Sequence, residues 1–112
     1  MTTPTTRIPV VPPSPNFAAP RYEGTGLTHV GRVRSENEDA ILTDPSGTLW
    51  AVSDGMGGYG HGDVASDIVT QQISMVDDDV LAAPALRTSI HTANDLIQKK
   101  SREPGMGQMG AT

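Results

Sequence analysis

The sequence predicts an α+β fold in which short strands precede two helices. Residues 40–43 and 48–52 are apolar runs of strand length, and residues 44–47 between them read Asp-Pro-Ser-Gly. Proline at the second position and glycine at the fourth are typical of a type I turn. The two runs are therefore predicted to form an antiparallel hairpin. Helical periodicity in the second half of the chain completes the α+β pattern.

The chain before this hairpin divides into a leader and a first strand. Residues 1–20 contain six of the nine prolines, and each proline fixes φ and removes a hydrogen-bond donor. Residues 1–22 are therefore predicted to be a disordered, Pro-rich leader, and residues 23–112 a domain. Residues 27–30 alternate in polarity and are predicted to be the first strand.

Two helices are predicted after the hairpin. Residues 63–80 carry aliphatic side chains at i, i+3 and i+4 spacing, with Asp63 placed to cap the N-terminus. Residues 84–100 repeat such side chains every three or four positions, with Pro84 in the favoured first turn. Lys99 and Lys100 lie at the end of this second helix, where the helix dipole favours positive charge.

A glycine-rich segment, residues 55–62, follows the hairpin and has five glycines in eight positions. It is predicted to be a loop with unusual backbone angles. The segment also fits the G-x-G-x-x-G pattern of dinucleotide-binding folds. The acid that such folds need about 20 residues later falls at residues 77–79, at the end of a helix. A nucleotide-binding βα unit is the less favoured alternative.

The charge pattern narrows the choice of partners. The chain has 13 acidic and 8 basic residues; ten of the acids lie between positions 36 and 79, and no Lys or Arg occurs from position 35 to 86. Phosphates would be repelled, so nucleic acid and anionic lipid are not expected partners. The absence of cysteine excludes a thiolate metal site. The sequence has no signal peptide or membrane-length apolar run, which predicts a cytoplasmic protein.

Three carboxylates are predicted to meet at one end of the hairpin. Glu38 and Asp39 precede its first strand, and Asp54 follows its second. Carboxylates at short distance repel each other unless a cation lies between them. Oxygen ligands without His or Cys favour Mg²⁺ or Mn²⁺ over Zn²⁺. A solvated acidic rim is the alternative that spacing alone leaves open.

Three ordered motifs give the chain a family resemblance over about residues 26–112. They are Gly31-x-x-Arg34-x-x-Asn37-Glu38-Asp39, Asp54-Gly55-Met56-Gly57-Gly58 and Gly62-x-x-Ala65-Ser66. Together they resemble the protein phosphatase 2C family of metal-dependent Ser/Thr phosphatases, in its bacterial branch. The resemblance implies a four-layer α-β-β-α sandwich with antiparallel sheets, of which residues 23–112 would be the N-terminal part, about the first half. It also implies that residues 105–112 open another strand.

The resemblance implies a role for each matching site residue. Asp54 would bridge two Mn²⁺ or Mg²⁺ ions, and Glu38 and the Gly55 carbonyl would complete the protein ligands of one of them. Asp39 would hold metal-bound water, and Arg34 would bind the substrate phosphate, which suits its planar charged fork. Met56 stands where many eukaryotic members have a histidine proposed as the general acid, so the proton donor stays open.

The expected function is hydrolysis of phosphoserine and phosphothreonine in proteins by water that two metal ions activate, opposing a bacterial Ser/Thr kinase. Further ligands and sheets of the family would lie beyond Thr112, so the 112-residue chain is expected to fold poorly and to be inactive alone. A non-catalytic binding module is the alternative. Trp50 is expected in the core, His29 and His91 as ordinary strand and helix residues, and His61 in an exposed loop.

Overall fold

The computed structural model describes residues 22–43, 47–77 and 81–112. Three strands and two helices occur there in the order β1 (Asp39–Thr43), β2 (Trp50–Gly57), α1 (Gly62–Ser74), α2 (Ala83–Ser101) and β3 (Met109–Ala111). This confirms the predicted α+β class. The prediction of a disordered leader falls on residues outside this range, apart from Tyr22.

Strand β2 is the centre of a three-stranded antiparallel sheet with the order β1-β2-β3. Its first part pairs with β1, in a register that sets Asp39 opposite Asp54 and Thr43 opposite Trp50. Its last three residues pair with β3 instead. The predicted hairpin and the predicted C-terminal strand are both confirmed, while turn residues 44–46 lie outside the described part of the chain.

The glycine-rich segment is not wholly a loop, as the sequence had suggested. Strand β2 runs on through Gly57, because β3 supplies a pairing partner for Gly55–Gly57. Tertiary pairing thus overrides the weak strand preference of glycine. The antiparallel pairing of β2 with β3 is also unlike the parallel βαβ unit that dinucleotide-binding folds require. Only the positions from Gly58 to His61 form the turn that leads into α1.

The predicted strand at residues 27–30 is wrong. These residues have no regular secondary structure, and Leu27 is 92% exposed, so their alternation does not correspond to a buried face. Polar groups of the segment bond locally instead. Asn37 Nδ2 donates to Thr28 Oγ1 at 2.7 Å, and the Gly31 N–H donates to His29 Nδ1 at 2.9 Å.

Helix α1 packs against all three strands, and α2 packs against α1 and β3. The described elements therefore form one sheet covered by helices on one face. The small core between them consists of Ala40, Ala65, Ile73, Ala93 and Ile97. Trp50 was expected in the core but lies outside it, because it is 39% exposed at the start of β2. None of the described helices combines the length and apolar character needed to cross a membrane.

Helix α2 agrees with its predicted boundaries to within one residue, whereas the predicted end of α1 at residue 80 is wrong. Helix α1 begins at Gly62 and ends at Ser74, where the Met75 N–H bonds to the carbonyl of Gln72 in a tightened last turn. The predicted cap by Asp63 is wrong, since no side chain caps α1 from its N-cap position. Helix α2 has its proline in the first turn and both lysines in the last turn, as predicted.

Candidate metal and phosphate site

An open cavity of about 440 Å³ lies at the end of the β1–β2 hairpin. It is lined by all of the predicted metal-binding and phosphate-binding residues: Arg34, Glu38, Asp39, Asp54 and Gly55. The segment 29–34 forms one wall and the ends of β1 and β2 form the other. The predicted site residues are therefore brought together in one place by the fold.

Asp39 and Asp54 are directly opposite each other across the hairpin. The Gly55 N–H donates to the Glu38 carbonyl at 3.0 Å, one residue away from this pair. That bond marks Asp39–Asp54 as a non-hydrogen-bonded pair, in which the side chains of facing strands come closest, with Cβ atoms roughly 4.5–5.5 Å apart. Two carboxylates so placed destabilise the hairpin unless a cation offsets their repulsion.

The backbone of Asp54 is fixed from its other edge. Its N–H donates to the Thr112 carbonyl at 2.7 Å, and its carbonyl accepts from the Thr112 N–H at 2.9 Å. Asp54 therefore lies in the middle strand, with paired backbone of the same chain on both sides. This placement holds its Cα firmly while its side chain stays exposed.

Glu38 takes a different direction from its neighbour Asp39. Consecutive residues of a strand point to opposite faces, and the Glu38 carboxylate turns to the helix side, where Oε2 accepts the Gly62 N–H at 2.7 Å. Its side chain is only 17% exposed. The predicted convergence of three carboxylates is therefore met for Asp39 and Asp54 only. Among the described residues, no three acidic or histidine side chains are gathered closely enough to hold one metal ion.

Two glycines allow β2 and α1 to approach each other beside Glu38. A Cβ atom added to Gly55 would overlap the carbonyl oxygens of Gly62 and Glu38. A Cβ atom added to Gly62 would overlap Glu38 Oε2 and the Met56 nitrogen. Both positions therefore need glycine for lack of space, and neither has a positive φ.

Arg34 and its neighbours supply positive charge at the mouth of the cavity. Arg34 Nη1 lies 4.0 Å from Glu38 Oε1, and its side chain is 76% exposed. At this distance, and with the guanidinium in solvent, the pair adds little stability, so the guanidinium is free to bind an anion. His29 and Arg32 also line the cavity. Sequence reasoning missed both of them, having treated His29 as an ordinary strand residue; their place beside the Gly31–Arg34 motif was the available signal.

The donors at this site fit a hard divalent cation. All of them are oxygens: the carboxylates of Asp39 and Asp54, the Glu38 carboxylate and the Gly55 carbonyl. Mg²⁺ is commonly bound through one or two carboxylates, with water and substrate phosphate as its other ligands. An ion at this site therefore does not need three clustered carboxylates, because water and phosphate can complete its ligands.

Comparison with known sequences gives clear relatives. The chain is 34% identical over 86 residues to the Ser/Thr protein phosphatase PstP of Mycobacterium tuberculosis, in strains H37Rv and CDC 1551. The match covers 73% of this chain and 16% of PstP, so the chain spans about one sixth of the length of these relatives. No model of a protein family matches the sequence.

The solved structures that align with the chain include Ser/Thr phosphatases. The catalytic domain of PstP in complex with two manganese ions aligns with a TM-score of 0.68 at 32% identity, covering 77% of this chain and 38% of that one. PppA, a regulatory component of T6SS in Pseudomonas aeruginosa, aligns with a TM-score of 0.71 at 34% identity, covering 83% and 42%. MsPP of Mycobacterium smegmatis, a PPM Ser-Thr phosphatase in complex with cacodylate, gives 0.62 at 31% identity, covering 77% and 35%.

Proposed function

We propose that this chain, which resembles part of the bacterial Ser/Thr phosphatases of the protein phosphatase 2C family in both sequence and fold, contributes to the site of a metal-dependent protein Ser/Thr phosphatase. The facing pair Asp39–Asp54 is the observation that carries the proposal. It sets two negative charges at the shortest cross-strand separation, and both side chains are open to a cavity that also holds Arg34. A divalent cation and a phosphate group match these opposite charges.

Each residue then has a distinct task. Asp54 would hold both metal ions, with Glu38 and the Gly55 carbonyl as further ligands of one of them. Asp39 would orient the attacking water, and Arg34 would hold the phosphate oxygens through its charged fork. Two bound Mn²⁺ or Mg²⁺ ions would supply activation of the water and stabilisation of charge on the attacking and leaving oxygens. Two ions are proposed because the related PstP catalytic domain carries two manganese ions.

The proposed substrates are proteins phosphorylated on serine or threonine by a bacterial Ser/Thr kinase. The related proteins are Ser/Thr protein phosphatases, and Arg34 supplies the phosphate contact common to any such substrate. The protein would therefore act in dephosphorylation and signalling, and its place would be the cytoplasm. The acidic surroundings of the site disfavour nucleic acid as a substrate.

Metal binding by the chain itself is the first test. We expect Mn²⁺ to bind in a calorimetric titration, and we expect Asp54→Asn to weaken this binding by ~100-fold or more, because a direct ligand matters at least as much as its supports. Asp67→Asn is the matched control, since Asp67 is an exposed acid on α1 away from the cavity. Equal Mn²⁺ binding by both variants would contradict the proposed ligand.

Catalysis is tested in a hybrid protein. Residues 26–112 of this chain are placed in the PstP catalytic domain, where they replace the aligned segment. We expect the hybrid to hydrolyse p-nitrophenyl phosphate and a phosphothreonine peptide with Mn²⁺, and Asp54→Asn to abolish both activities. A folded hybrid that binds Mn²⁺ but hydrolyses neither substrate would instead support a non-catalytic binding module. Binding of NAD without metal would favour the nucleotide-binding alternative.

A further inference from the structure

Helix α1 holds Glu38 at two points, one on its side chain and one on its backbone. The Gly62 N–H donates to Glu38 Oε2 at 2.7 Å, and Ser66 Oγ donates to the Glu38 carbonyl at 2.7 Å. Gly62 and Ser66 are four residues apart, so they lie one above the other on the same face of the helix. The first two turns of α1 thus hydrogen-bond to a single residue that is more than 20 positions earlier in the chain.

The contact with Gly62 occupies one oxygen of the Glu38 carboxylate, Oε2, and leaves Oε1 available for another partner. Oε2 accepts a main-chain N–H at the positive end of α1, a charge-assisted bond stronger than a neutral one. In the described part of the chain, the charged partner of Oε1 is the distant Arg34 guanidinium, at 4.0 Å. The carboxylate is thereby turned so that Oε1 is the oxygen available to a cation. Gly62 is needed because a Cβ atom there would overlap Oε2.

The contact with Ser66 lies at the hydrogen bond that links Glu38 to Gly55, the two residues proposed as ligands of one ion. Ser66 is fully buried, and its hydroxyl shares the Glu38 carbonyl with the Gly55 N–H, which donates at 3.0 Å. Moving the Glu38 carbonyl would therefore move both the Glu38 side chain and the peptide unit that precedes the Gly55 carbonyl. The Ser66 hydroxyl is therefore placed to influence the distance between these two ligands.

We propose that Gly62 and Ser66 are positioning residues for metal binding, and this rests on the proposed function. They do not touch the metal or the substrate; they set the direction of the Glu38 carboxylate and its distance from Gly55. The motif Gly62-x-x-Ala65-Ser66 thereby has a physical task. The glycine lets the helix N–H reach the carboxylate, and the serine one turn later secures the backbone of the same residue.

The test compares two buried serines. Ser66→Ala removes the hydroxyl that bonds to Glu38, and Ser89→Ala removes a buried hydroxyl in α2 that donates to the Leu86 carbonyl of its own helix. We expect Ser66→Ala to raise the Mn²⁺ dissociation constant about 10-fold, as for other residues that support metal ligands. Ser89→Ala should leave it within about twofold. Melting temperatures, measured in parallel, separate a general loss of stability from a loss of positioning.

Equal Mn²⁺ affinities for the two alanine variants would overturn this inference and leave the proposed function standing. Absence of Mn²⁺ binding by both the unaltered chain and the hybrid with the PstP catalytic domain would overturn the proposed function itself. A metal-free measurement tests the contact directly: Glu38→Gln should speed hydrogen exchange of the Gly62 amide about tenfold or more, because a charge-assisted bond becomes a neutral one. Glu36→Gln, in the same cavity, is the control. Unchanged exchange in Glu38→Gln would overturn the inference.

Discussion

The two faces of the sheet differ in what covers them and in what they do. On the face toward the helices, Ala40 and Ser53 are opposite each other, and both are buried. On the other face, Val52 is 78% exposed and Met56 is 66% exposed. The strand alternation that separates these side chains also separates neighbouring site residues, since Glu38 turns toward α1 and the next residue is exposed on the other side.

This difference shows that the site draws on both faces. The covered face is built from small residues, so the backbones of β2 and α1 are in direct contact there. This contact holds Glu38 in place. The open face supplies the exposed pair Asp39–Asp54, which is free to bind an ion. Added volume should therefore be costly on the first face and nearly harmless on the second.

The largest effect is expected from a single methyl group at Gly55. Gly55→Ala would press its Cβ against the carbonyl oxygens of Gly62 and Glu38, which are backbone atoms and cannot turn aside. We expect a loss of about 3 kcal/mol in the free energy of unfolding, the upper range for overpacking. Chemical denaturation followed by circular dichroism measures it. Gly58→Ala is the control, because no atom lies within 4 Å of its added Cβ and its φ is not positive; a similar loss in both would refute the close approach.

Much of this arrangement could be predicted from the sequence, and the failures have physical causes. The hairpin and both helices follow from local periodicity and turn residues, which act over a few positions. The length of β2 could not be predicted, because Gly55–Gly57 become strand only through pairing with β3, more than 50 residues later. The turn of the Glu38 carboxylate toward α1 could not be predicted, because it depends on the approach of the Gly62 N–H, a backbone donor more than 20 positions later in the chain.

A buried hydroxyl on the covered face should give an effect of opposite sign. Ser53 is 1% exposed, and its Oγ has no hydrogen-bond partner among residues 22–43, 47–77 and 81–112. A buried polar atom left unpaired costs free energy, so Ser53→Ala should stabilise the fold by about 1 kcal/mol. Ser66→Ala, which removes a buried hydroxyl that donates to the Glu38 carbonyl, should destabilise it by about 1 kcal/mol or more. Thermal unfolding of both variants tests the contrast, and destabilisation by Ser53→Ala would show that its hydroxyl is bonded in solution.

The smallest effect is expected on the open face, where Val52→Thr exchanges one methyl group for a hydroxyl of nearly equal size. Because Val52 is 78% exposed, water can bond to the new hydroxyl, and the free energy of unfolding should change by less than about 0.5 kcal/mol. Ile73→Thr replaces an ethyl group with a hydroxyl in the core, at 9% exposure, and should cost about 2 kcal/mol or more, because it removes buried apolar volume and buries a hydroxyl. Urea denaturation of the two variants provides the comparison. A loss above about 1 kcal/mol for Val52→Thr would mean that this face is covered in solution, and the division between a packed face and an open face would then not hold.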